Sequence, residues 1–120
     1  MEKELVDNKK PDHSIHRRWR RYHVEMRLKV FIKKDGPQKF TFGQGSDISE
    51  GGLAAYIPLE LNPGENVEVE FIFPYSKSTM RVVADVRNKN GFRYGMEYSK
   101  LDPADRETLV RALKNLELMQ

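Results

Sequence analysis

The chain of 120 residues contains no cysteine. That excludes a disulfide framework, a thiol nucleophile and a thiolate zinc site, and it fits a reducing cytoplasm. No apolar run is long enough to cross a bilayer, and Met1–Lys10 has no signal-peptide core. The expectation is therefore a cytoplasmic protein that does not insert into membranes. Internal repeats and low-complexity tracts are missing. So are the patterns of catalysis: there is no glycine-flanked nucleophile elbow, no base within reach of a serine, and no carboxylate pair set for acid–base or metal chemistry. His13, His16 and His23 lack a neighbouring carboxylate at ligand spacing, so no metal is expected. These absences point away from an enzyme.

What is present begins with 38% hydrophobic residues, enough for one globular domain with a core. The net charge is +3, and its distribution matters more than its size. Residues 1–21 hold seven basic groups against four acidic ones, while residues 22–120 hold 14 of each sign. The body is neutral and the lead-in is basic. A duplex nucleic-acid binder spreads positive charge over a folded face; charge confined to one short segment suits a small polyanion better. The densest stretch is Arg17-Arg18-Trp19-Arg20-Arg21. Arginine offers a planar fork of donors that fits phosphate and the edge of guanine, and its flat face stacks on bases. Arg17 and Arg21 would share one side of a helical turn, or could close on a ligand from two directions in a flexible arm. The plainer reading is a solvated basic tail held by acidic residues elsewhere.

Met1–Ile15 is polar and aperiodic and contains Pro11, so a mobile arm is expected over residues 1–15. From Tyr22 the pattern has period two. Val24, Met26, Leu28, Val30 and Ile32 alternate with Glu25, Arg27, Lys29, Phe31 and Lys33, which predicts a strand with one wet face. Lys34-Asp35-Gly36-Pro37 reads as a turn, and Lys39–Gly45 as a second strand through Phe40 and Phe42, weakened or bulged at Gly43 and Gly45. Further strands are expected over Leu53–Ile57, Val67–Phe73, Met80–Arg87 and Phe92–Tyr98, with turns at Pro63-Gly64 and Asn88–Gly91. About six short strands joined by tight turns predict a small antiparallel barrel or sandwich. Asp102 and Pro103 then open a helix whose stripe of Leu109, Leu113 and Leu116, with Val110, Ala112 and Leu118, would lie across the barrel or close one end.

One turn stands out chemically. In Asp47-Ile48-Ser49-Glu50-Gly51-Gly52, extended geometry sends Asp47 and Ser49 to one side and Ile48 to the core. The glycine pair lets the backbone bend sharply and a ligand approach closely. A carboxylate, a hydroxyl and backbone amides on one turn can receive a guanine base through its ring N–H and exocyclic amine. The competing reading is a serine-stabilised turn between strands with no ligand.

With both motifs placed, residues 16–118 resemble a PilZ domain. That family carries an RxxxR motif just before its first strand and a [D/N]xSxxG motif about two dozen residues later. Here these are Arg17–Arg21 and Asp47, Ser49 and Gly52, followed by Tyr94-Gly95-Met96-Glu97-Tyr98 and the acid-capped final helix. The resemblance implies a six-stranded antiparallel β-barrel with a C-terminal α-helix, acting as a receptor for cyclic di-GMP rather than as an enzyme. It assigns Arg17 and Arg21 to phosphates and guanine edges, Asp47 to guanine N–H groups and Ser49 to donation toward the ligand. Gly52 would leave room and offer backbone, and Arg18 is an additional candidate. The residue before the first motif arginine influences whether one ligand or an intercalated pair binds in the family; it is His16 here, so stoichiometry stays open. The implied mechanism is closure of the arm over the ligand, read by a separate downstream protein partner.

Two other readings compete. A PilZ-fold adaptor would bind protein and ignore the nucleotide, against which stand the five intact signature positions. A nucleic-acid binder would use the basic arm and Trp19, against which stands the neutral body. Trp19 is expected to pack or lie exposed between the motif arginines, and Arg81, Arg87 and Arg93 to form cross-strand pairs with Glu68, Glu70 and Asp85.

Overall fold

The computed structural model describes residues 19–32, 39–76 and 78–119. Within them come β1 (Tyr22–Ile32), β2 (Lys39–Ile48), β3 (Gly52–Tyr56), β4 (Asn66–Ile72), β5 (Thr79–Asn90), β6 (Arg93–Lys100) and the helix α1 (Pro103–Met119). The strands close into a barrel in the order β1-β2-β3-β6-β5-β4, and every neighbouring pair is antiparallel. The six-stranded barrel with a C-terminal helix expected from the sequence is the architecture found. The expected arm over residues 1–15 and the turn at Lys34–Pro37 lie outside the described residues.

Alternation builds the core. On β1, Tyr22, Val24, Met26, Leu28 and Val30 are buried while His23, Glu25 and Arg27 face solvent. The alternation fails at its end. Phe31, on the outward side, is only 9% exposed. It is covered by the Phe40 ring, with centroids 5.9 Å apart, and by the Arg81 guanidinium 3.9 Å above it. Outer-face neighbours, not the barrel interior, take this ring out of water, and Ile32 is correspondingly only partly buried.

Strand β2 runs past Gly45 to Ile48. Its phenylalanines Phe40 and Phe42 point outward and are exposed. Its inward positions include Gly43 and Gly45, which pair with Leu28 and Met26 of β1. Those two long side chains fill the space above the glycines, so the wall stays packed there without side chains of its own.

The turns obey their residue chemistry. Glu65 N–H donates to Asn62 O at 3.0 Å around Pro63-Gly64, with Gly64 at φ +97°. Asn90 pairs with Arg93, so the hairpin loop is Gly91-Phe92, with Gly91 at φ +64° as a two-residue loop demands at its first position. Tyr94 is fully buried; its hydroxyl donates to Leu59 O at 2.5 Å and accepts from Leu61 N–H at 3.0 Å, pinning the loop after β3 to the interior.

Asp102 caps α1, its Oδ1 accepting from Asp105 N–H at 2.9 Å. Leu109, Ala112, Leu113 and Leu116 join the barrel core. Leu118 does not belong to that stripe. It lies two residues beyond Leu116, about 200° around the helix, and is 84% exposed. Leu109 is completely buried, so Leu109→Ala is expected to lower the free energy of urea unfolding by about 2–5 kcal/mol, while Leu118→Ala should change it by less than about 0.5 kcal/mol.

Candidate functional site

Local irregularity in β2 positions the acid. Between Gly45 and Asp47 the register with β3 slips, and β1 slips against β2 between His23 and Met26. Ser46 is the extra residue on β2, and the bulge re-aims Asp47 and Ile48. Asp47 then stands opposite Ala54 of β3 and His23 of β1, while Ile48 turns into the core at 1% exposure. The Asp47 carboxylate is partnered. Arg93 Nη2 donates to its Oδ2 at 2.6 Å, and His23 Nδ1 lies 3.8 Å from its Oδ1. Arg93 reaches it from β6, with its guanidinium 5.9 Å from the Tyr56 ring centroid and 3.3 Å from Ser46 Oγ.

Ser49 is buried, and its hydroxyl is engaged within the turn. Gly51 N–H and Gly52 N–H donate to Ser49 Oγ at 3.1 and 3.2 Å, and the hydroxyl lies 3.3 Å from Gly52 O. From β6, Tyr98 N–H donates to Gly51 O at 3.0 Å and the Tyr98 hydroxyl donates to Ser49 O at 3.2 Å. Burial holds the Tyr98 phenol well above the ordinary tyrosine range, so it stays a donor. Gly52 is required by the fold itself: a Cβ there would sit 2.0 Å from the Met96 carbonyl oxygen.

The basic lead-in reaches the same place. Trp19 packs on Gly51, where an added Cβ would come within 2.3 Å of the indole. Arg20 pairs with Glu117 of α1 at 2.9 Å and lies 5.1 Å from the Tyr22 ring centroid. Arg21 points to the cleft that Trp19, Asp47, Ser49 and Gly52 also line, together with Arg87, Asn88 and Arg93. Arg21, Asp47, Ser49 and Gly52 are thus brought together; Arg17 and Arg18 lie outside the described residues. The cleft has a water-accessible volume of about 90 Å³. Among the described residues, no group of three or more histidine, cysteine or acidic side chains is placed to hold a metal, and no helix is long and apolar enough to cross a membrane.

Arg87, Asn88 and Arg93 were not among the site residues expected from the sequence. Arg81 does pair with Glu68, and Arg87 with Glu97 at 2.7 Å and Asp85 at 3.9 Å. Arg93 finds its acid on β2 instead: it stands opposite Tyr56 of β3, and the small Ala54, which pairs with Asp47, leaves the diagonal path to the carboxylate open. Nothing in the linear sequence signals that contact: β3 and β6 are not consecutive, and only the closed strand order brings Arg93 to the motif acid.

The PilZ domain family model matches residues 15–115, and the chain belongs to that family. PilZ domains are a cyclic di-GMP-binding family, in general receptor domains rather than enzymes. Solved structures agree in fold. The PilZ domain of CeSA from a cellulose-synthesizing bacterium is 18% identical, with TM-score 0.64 over 82% of this chain and 98% of that one. The PilZ domain of Escherichia coli YcgR, solved with cyclic di-GMP, is 15% identical, with TM-score 0.68 over 85% and 92%. The Bacillus subtilis inhibitor of motility MotI/DgrA is 19% identical, with TM-score 0.66 over 85% of this chain but 51% of that one, so the chain spans about half its length. No curated protein matches the chain by sequence.

Two outcomes separate the fold's needs from a ligand's. Gly52→Ala is expected to cost at least about 1–3 kcal/mol in thermal or urea unfolding with no ligand present, because the added methyl meets backbone. Tyr98→Phe removes one hydrogen bond, worth about 1 kcal/mol. The folded state keeps the Tyr98 proton where the unfolded chain releases it, so this tyrosine's contribution is whole below about pH 10 and is lost as pH rises further. The stability gap between wild type and Tyr98→Phe should therefore narrow from about pH 9 to pH 11.

Proposed function

We propose that the chain is a non-enzymatic, cytoplasmic receptor for cyclic di-GMP that binds the dinucleotide through its RxxxR and DxSxxG motifs and signals by rearranging the N-terminal arm for a downstream protein partner. The observation that carries this reading is the cleft in which Arg21 and Trp19 of the lead-in meet Asp47, Ser49 and Gly52. A cationic, aromatic lead-in faces an acid-bearing turn. That combination matches a ligand with two phosphates and two purines.

Each group has a role by its chemistry. Arg21, with Arg17 and Arg18 assigned from the motif, neutralises phosphates and stacks on base faces. Asp47 accepts from a guanine's ring N–H and exocyclic amine, exchanging the Arg93 bond for two base bonds. One charge-assisted bond is traded for others, so recognition does not strand a buried charge. Ser49 holds the turn in shape and Gly52 keeps the backbone open. The water-accessible space of about 90 Å³ is far below a pocket that encloses a ligand, roughly 300 Å³ or more. One base would enter while the rest of the dinucleotide lies across the surface, where the lead-in can cover it. Arg20, fixed to Glu117, would pass a movement of the lead-in on to α1.

Trp19 is the sole tryptophan, so binding can be followed by its fluorescence as well as by calorimetry. Cyclic di-GMP is expected to bind wild type and shift Trp19 emission, with affinity reduced at least tenfold in Arg21→Ala and Asp47→Ala. Absence of binding by wild type, or equal binding by Arg21→Ala, would reject the receptor reading and leave the nucleotide-independent adaptor.

A further inference from the structure

Four adjacent strands place one outward residue each in a single row. Asp47 of β2 stands opposite Ala54 of β3, Ala54 opposite Gly95 of β6, and Gly95 opposite Asn88 of β5. All four line the cleft. Three strand spacings separate the ends, so the row is about 14 Å long. Its middle is a methyl group and a hydrogen; its two ends are polar side chains. Between its ends the row itself carries nothing larger than a methyl group, which leaves room for a base face above it.

The far end of the row is built, not incidental. Strand β5 carries a bulge between Val86 and Asn88, with Arg87 as the extra residue. Without that extra residue, Asn88 would turn inward after the buried Val86; with it, Asn88 faces the cleft. The Asn88 amide is drawn in over the floor. A Cβ on Gly95 would stand 2.6 Å from Asn88 Oδ1 and 2.8 Å from its Nδ2. Only a residue without a side chain at 95 lets the amide occupy that position.

Resting on the receptor reading, we infer that Asn88 is a second base-reading residue, facing Asp47 across the Ala54–Gly95 floor. A guanine lying on the floor gives its ring N–H and amine to Asp47. Its neighbouring edge, with the O6 and N7 acceptors, then turns toward β5, where the Asn88 NH2 donates. Donor and acceptor sides of the base are thereby held by groups of opposite character. An aspartate at 88 would offer oxygen to oxygen there, yet would welcome the exocyclic amine that adenine carries in place of O6.

The test is calorimetry of wild type, Asn88→Ala, Asn88→Asp, Gly95→Ala and Arg21→Ala with cyclic di-GMP and with cyclic di-AMP, each variant first matched to wild type by thermal melting. Asn88→Ala is expected to weaken cyclic di-GMP binding about tenfold, the loss of one hydrogen bond to a bound base. Gly95→Ala, which displaces the amide without removing it, should weaken it similarly and add little to Asn88→Ala. Asn88→Asp should lose more and lower the preference for the guanine dinucleotide over the adenine one by about tenfold. Binding within twofold of wild type for both Asn88 variants, or losses that leave that preference unchanged, would overturn the inference while Arg21→Ala still weakened binding. No cyclic di-GMP binding by wild type at all would overturn the receptor reading and this inference with it.

Discussion

At Gly52 and Glu97, strands β3 and β6 approach so closely that the Met96 carbonyl fills the space a side chain on residue 52 would need. This backbone contact joins strands far apart in the chain, and the barrel closes through it. Closure sets Ala54 beside Gly95, carries Arg93 across to Asp47 and lets Tyr98 reach the Ser49 carbonyl. The turn that carries the motif serine and glycines is therefore held from β6 as much as by its own hydrogen bonds. One missing methyl group supports both the wall and the cleft.

The strands were legible because burial imposes period two on β1, β4, β5 and β6, and because Pro63-Gly64 and Asn90-Gly91 carry the chemistry of their turns. The helix start was legible for the same kind of reason, since Asp102 and Pro103 have few other uses. Phe31 and Leu118 show where a one-dimensional pattern runs out. Phe31 is buried by Phe40 and Arg81 from two other strands, and Leu118 is apolar yet exposed. Of the cleft, the sequence indicated the residues that share a motif. It could not indicate Arg93 or Asn88, because their places depend on strand order and on a bulge at Arg87, and neither leaves a mark in the composition of a segment.

Asp47 is not an isolated carboxylate waiting for a cation; Arg93 and His23 already stand beside it. A group so partnered keeps its orientation, which limits the entropy lost when another donor takes over. On the proposed receptor reading, the same arrangement sets a threshold: a ligand edge must offer Asp47 donors at least as good as a guanidinium. A base whose edge offers acceptors there has nothing to exchange.

The outer wall of β1 and β2 has its own logic. Phe40 and Phe42 lie exposed with their rings edge to face, and Lys29 and Arg27 stand over them at 4.9 and 4.0 Å. Water therefore meets ammonium and guanidinium groups where it would otherwise meet bare hydrocarbon. On this wall, with each strand edge paired and a cation laid over each of the two rings, another chain meets little bare hydrocarbon, so these two phenylalanines bring less of the tendency to clump that aromatic surface ordinarily carries.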